Sequence, residues 1–149
     1  MASVFASILK RLCESTGGYA AALVDGEGET VDYFARDLDP FGVRVSAAEW
    51  RLVLATLQQS RIPGWADAGL VLVRAQNASF GLVPLAEGYA LIVHLPRHGF
   101  RISERALAVA TEELAAEAGL RPLEPVAKAE RWVRVRVQTV AGNPRRPLA

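Results

Sequence analysis

The residues of this 149-residue chain that could do chemistry are few and poorly grouped. His94 and His98 are its only histidines and Cys13 its only thiol, and the three have no zinc-site spacing. His94 reads as a strand-end polar group and His98 as a loop residue. Cys13 sits beside Leu12 in a helical pattern, which suits a buried, inert thiol better than a nucleophile. No serine stands in a nucleophile elbow. The acidic cluster Asp25, Glu27, Glu29 lacks the ligand number and loop length of a calcium site and reads as a solvated turn. Gly17-Gly18 precedes a strand instead of joining a strand to a helix, and no Gly-Lys-Ser/Thr follows, so no phosphate loop is expected. No carboxylate pair lies in an apolar setting that would raise a pKa. The expectation is a protein without enzymatic activity, cofactor or metal.

Two patterns exceed this bland reading. Arg131-Trp132-Val133-Arg134-Val135-Arg136-Val137 alternates valine with tryptophan and arginine. Such a strand can be an edge kept soluble by its charges, or a docking surface for an acidic partner through Arg131, Trp132, Arg134 and Arg136. Nucleic acid is disfavoured, because one strand is a small footprint and the rest of the chain is acidic. The second pattern is a helical segment in which Trp50, Leu52, Val53, Leu54 and Leu57 cover more than a narrow stripe. It serves either as core or as a surface that pairs with a second copy. The nearby run Leu70–Val73 is apolar on both sides, as in a strand covered twice or paired across an interface.

The elements that must position these groups follow from spacing. Val4, Phe5, Ile8, Leu9 and Leu12 make one helical stripe over residues 3–15, with Ser3 as cap and Gly17-Gly18 as stop. Strands over 19–25 and 29–36 flank the Asp25-Gly26-Glu27-Gly28 turn as a hairpin. A loop over 37–45 containing Pro40 and Gly42 leads to a capping box, Ser46 with Glu49, opening the second helix. Three closely spaced strands, 69–74, 80–85 and 89–95, require antiparallel hairpins. Ser103 with Glu104 opens a last helix, whose stripe is Leu107, Ala110, Thr111 and Leu114 and whose stop is Gly119. The alternating segment near 131–140 is an extra strand.

Composition agrees. Hydrophobic residues make up 51% and charged residues 22%, a globular balance. No apolar run reaches membrane-spanning length, and Lys10 and Arg11 follow the apolar start instead of preceding it, unlike a secretory signal. With a single cysteine the chain suits a reducing, cytoplasmic setting. Residues 1–120 carry 10 basic and 14 acidic groups, a net of −4; residues 121–149 carry 7 and 2, a net of +5. The division expected is a domain over 1–120 and a basic extension over 121–149.

The order helix, hairpin, helix, three strands, helix resembles the Roadblock/LC7 domain family. The wording resembles it as well: Thr-Gly-Gly-Tyr-Ala-Ala-Ala-Leu-Val-Asp-Gly-Glu-Gly for the first strand and its acidic-Gly turn, and Phe80-Gly-Leu-Val-Pro-Leu-Ala-Glu-Gly-Tyr-Ala-Leu-Ile-Val for the last hairpin. The likeness spans about residues 3–119. It implies an α/β (α+β sandwich) fold, α-β-β-α-β-β-β-α around a five-stranded antiparallel sheet, with the C-terminal strand as an addition. It also implies a non-enzymatic homodimer joined through the second helix and third strand, here Trp50, Val53, Leu54, Leu57, Leu70 and Leu72. The partner implied is a small Ras-like GTPase or another signalling protein, which the chain would activate or scaffold. A different reading is a small-molecule-sensing, profilin-like domain, for which a polar cluster in a concave pocket would argue.

Overall fold

The computed structural model describes residues 2–97, 103–121 and the strand 132–136. Helix α1 (Val4–Thr16) starts at Ser3, whose hydroxyl accepts from the Ala6 amide, and ends at Gly17 in the left-handed conformation. The hairpin of β1 (Ala20–Val24) and β2 (Thr30–Ala35) follows. Helix α2 (Pro40–Gln58) leads into β3 (Leu70–Arg74), β4 (Ala78–Pro84) and β5 (Ala90–Pro96), with a short 3₁₀ turn at 86–88. Helix α3 (Glu104–Ala118) is capped by Ser103 and stopped by Gly119. The last element is β6 (Trp132–Arg136).

One expectation is corrected. The second helix does not open at Ser46. Asp39 is its N-cap, accepting from the Gly42 amide at 3.2 Å, and Pro40 is the first helical residue. Proline suits that position because its missing N–H is one that a helix start leaves unpaired anyway. Ser46 and Glu49 therefore lie inside the helix, and Phe41 and Val45 join its surface.

The strands run β2-β1-β5-β4-β3-β6, and all neighbours are antiparallel except β3 and β6, which are parallel. The five-stranded antiparallel sheet β2-β1-β5-β4-β3 is thus extended by one strand at the β3 edge. Its α1/α3 face buries Ile8, Leu9, Leu12, Leu23, Leu91, Leu95, Leu107 and Leu114. The opposite face buries Ala22, Val24, Val71, Val73, Leu82 and Ile92 beneath Ala47 and Leu54 of α2. The run of alanines in β1, poor strand formers individually, is explained here. Ala22 belongs to the layer under α2 and Ala21 to the layer under α1, so small side chains let both helices approach the same strand.

Two turns meet at one end of the sheet. A Cβ on Gly26 would sit 2.7 Å from the Glu87 carbonyl oxygen, so only glycine fits. The Arg51 guanidinium of α2 donates to the Gly26 carbonyl at 2.7 Å and the Gly88 carbonyl at 3.2 Å. It ties the helix to both hairpin tips.

Candidate interaction surface

The outer side of α2 is the most distinctive surface. Phe41, Val45 and Leu52 follow helical spacing along one stripe, 73%, 41% and 63% exposed, with Val53 beside them at 41%. Of the ten exposed large apolar residues among those described, six lie between 41 and 65: these four, plus Ile62 and Trp65 in the connection to β3. Single exposed apolar residues are ordinary, whereas a concentration on one helix and its outgoing loop marks a contact surface.

The residues expected at a dimer interface divide into layers. Leu54 and Leu70 are buried, each 2% exposed, in opposite layers of the core. Trp50 and Leu57 are half-buried against the α2-side cluster, and Leu72 against the other. Val53 faces outward. The run from Leu70 to Val73 is apolar on both sides because each face of β3 lies under its own core layer within one chain.

Beneath Trp50 runs an aromatic row that spacing along the chain does not reveal. Trp50 lies on Phe80 with ring centroids 4.6 Å apart, Phe80 on His94 at 4.8 Å, and His94 meets Tyr19 edge-on at 6.2 Å. Phe80 and His94 are cross-strand neighbours in the β4–β5 register. Burial holds the His94 imidazole below its ordinary 6.5, so at neutral pH it is an uncharged member of this stack. Further along α2, the Arg44 guanidinium lies over the Tyr33 ring at 5.0 Å.

The chemically suspect groups have structural employment. Asp25 Oδ1 accepts from the Glu27 and Glu29 amides, each at 2.9 Å, so the acidic hairpin tip is a self-capped turn. Cys13 is fully buried, and burial, with the Arg36 charge pulling the other way, pushes its thiol up to about 12 from the ordinary 9.0. Alkylation of the native protein at pH 8 should therefore run about 1000-fold slower than alkylation of the urea-unfolded chain. Equal rates would mean that the thiol is not shut in. The same shift has a sign for stability. The protonated thiol stabilises the fold below about pH 9, and that contribution is lost as pH rises from there toward 12. His98 lies outside the described residues.

A groove of about 390 Å³ separates α1 from α3, lined by Arg11, Ser15, Ser103, Arg105 and Glu113 among others. Arg11 and Glu113 pair across it at 2.6 Å. No described helix is long and apolar enough to cross a membrane.

On the sheet edge, Trp132, Arg134 and Arg136 stand level with Leu70, Leu72 and Arg74, and Val133 and Val135 with Val71 and Val73. Arg131 and residues 137–140 of the expected strand lie outside the described residues.

Comparison with known proteins places this architecture. Neither family models nor curated proteins match the sequence. Solved structures match the fold. MglB of Myxococcus xanthus is 15% identical with a TM-score of 0.62, over 77% of this chain and 94% of that one. A Roadblock/LC7 domain from Streptomyces avermitilis is 18% identical with a TM-score of 0.62, over 76% and 97%. The gliding protein MglB from Thermus thermophilus is 16% identical with a TM-score of 0.67, over 80% and 94%. Three helices packed on a five-stranded antiparallel sheet in this order make the chain a Roadblock/LC7-like domain in fold.

Proposed function

We propose that this protein is a non-enzymatic, cytoplasmic homodimer that regulates or scaffolds a small Ras-like GTPase. The observation that carries the reading is the exposed apolar stripe Phe41, Val45, Leu52 and Val53 on α2. A soluble chain leaves such a stripe bare only at a cost that a partner's apolar surface relieves. In the dimer a second copy covers it, with Trp50 and Leu57 at its margins and Leu54 supporting it from the core, whereas Leu70 and Leu72 face the α1/α3 layer and would meet a second copy only along strand β3. The GTPase is inferred from the Roadblock/LC7 resemblance and from likeness to MglB, an analogy of fold. The basic segment with Arg131, Trp132, Arg134 and Arg136 would meet an acidic surface of that partner.

The small-molecule reading rests on the groove between α1 and α3. Its acidic and basic groups Arg11 and Glu113 already engage one another, whereas the α2 stripe is left uncovered in the single chain. The protein-partner reading is therefore preferred.

The test is binding to small Ras-like GTPases encoded in the same genome, each loaded with GDP or a non-hydrolysable GTP analogue. Nucleotide-dependent binding at micromolar concentration is expected for one of them. Failure to bind any in either state would sink the GTPase assignment. Faster GTP hydrolysis on addition of the chain would separate an activator from a scaffold.

A further inference from the structure

The sheet has one feature that its antiparallel body does not require. Strand β3 would be an edge, and an apolar one: Leu70, Val71 and Val73 are buried. An apolar edge offers unpaired N–H and C=O groups to any passing strand, which is a liability unless it is covered. Here it is covered by β6, parallel to β3 and registered with it over five residues, from Leu70↔Trp132 to Arg74↔Arg136. The cover comes from the far end of the chain, beyond helix α3.

Two further observations place that edge beside the surface a second copy would use. The exposed apolar residues run from α2 through Ile62 and Trp65 into the connection that ends at β3. Val71 and Val73 of β3 belong to the same core layer as Leu54 of α2. A copy covering α2 and this connection therefore comes close to the β3 edge. A backbone edge can make one ladder at a time, since each N–H is a single donor. Strand β6 and a strand from outside exclude one another.

We propose that β6 is an intramolecular competitor for assembly: it fills the β3 edge from within its own chain, and its release opens that edge to a second copy, tightening the dimer. The idea rests on the homodimer reading above and adds to it a control element. A segment with a net charge of +5 joined to a body of −4 suits reversible seating, because charge attraction aids return without needing a large apolar contact.

The experiment compares the full-length chain with two full-length variants by sedimentation equilibrium. In the first, Val133→Pro with Arg134→Pro breaks the β6 ladder, because successive N–H groups along a strand point to opposite edges and one of these two must face β3. Residues 1–121 are left unchanged, and far-ultraviolet circular dichroism would verify that the fold persists. In the second, Arg74→Cys with Arg136→Cys places two thiols at registered positions of neighbouring strands. Such strands lie about 4.8 Å apart, within disulfide reach. The proline variant should dimerise at least tenfold more tightly than the parent. The cysteine variant should dimerise no more tightly than the parent when oxidised, and should gain affinity on reduction if its strand loosens. A proline variant with unchanged or weaker dimerisation would overturn the competition while leaving the homodimer intact. Monomer in every variant at millimolar concentration would overturn both. Persistence of the tight dimer in the oxidised, locked chain would show that the edge is not the element being contested.

Discussion

Replacing Val45 and Leu52 together by lysine should leave the fold intact and convert the proposed dimer to monomer. The two side chains are 41% and 63% exposed, so neither contributes much to the core. Both lie within one helical turn of Glu49 on α2, four residues before it and three after it, so the new lysines gain a modest local partner. Helix stability should change by no more than a few tenths of a kcal/mol. A two-fold interface, by contrast, brings each substituted stripe against its own copy. Two apolar contacts are lost, and like charges are buried opposite one another. Fully burying an exposed valine or leucine is worth about 1.5–3 kcal/mol, so losing both should raise the dissociation constant at least about 100-fold. Light scattering should report half the parent mass at micromolar concentration, with the melting temperature of the isolated chain preserved. A variant that keeps the parent mass would remove α2 from the interface.

How much of this was legible in the amino-acid sequence depended on how local each signal is. Ser3, Ser103, Gly17 and Gly119 act on amides and carbonyls within four residues, so they mark helix ends directly. The Asp25 turn is equally local. The start of α2 is ambiguous in the sequence because two signals of the same kind compete. Asp39-Pro40 and Ser46 with Glu49 both resemble a helix entry, and the first wins because Gly42 and Val43 find their acceptors at Asp39. The Trp50–Phe80–His94 row was out of reach for a different reason. It depends on the β4–β5 register and on the angle at which α2 crosses the sheet, neither of which leaves a mark in spacing. The same holds for β6. Alternation announces a strand, but neither its partner β3 nor its parallel direction is written in residues 131–140. The core or interface alternatives for residues 50–57 stayed open because spacing gives a stripe's width without saying what covers it. The fold assigns Leu54 inward and Val53 outward.

That division has a sharp consequence. Leu54→Asp should abolish folding, whereas Val53→Asp should not. Leu54 is 2% exposed and packs into the layer that holds Ala47, Val71, Val73 and Leu82. Aspartate there loses the leucine's apolar contacts, worth about 2–5 kcal/mol for truncation alone. It must also bury a carboxylate in a layer whose fully buried members are all aliphatic, or bind a proton at neutral pH, which adds several kcal/mol more. The sum is comparable to the whole stability of an ordinary domain, about 5–15 kcal/mol. Val53, the preceding residue, is rotated about 100° around the helix, and it projects to solvent in the single chain. Its aspartate variant should melt within a few degrees of the parent and show its effect only in mass. Chemical denaturation of both variants decides the matter. A Leu54→Asp chain with a parent-like unfolding transition would mean that α2 does not seat on the sheet at this residue. A Val53→Asp chain that unfolds would mean that the helix is rotated from the position described.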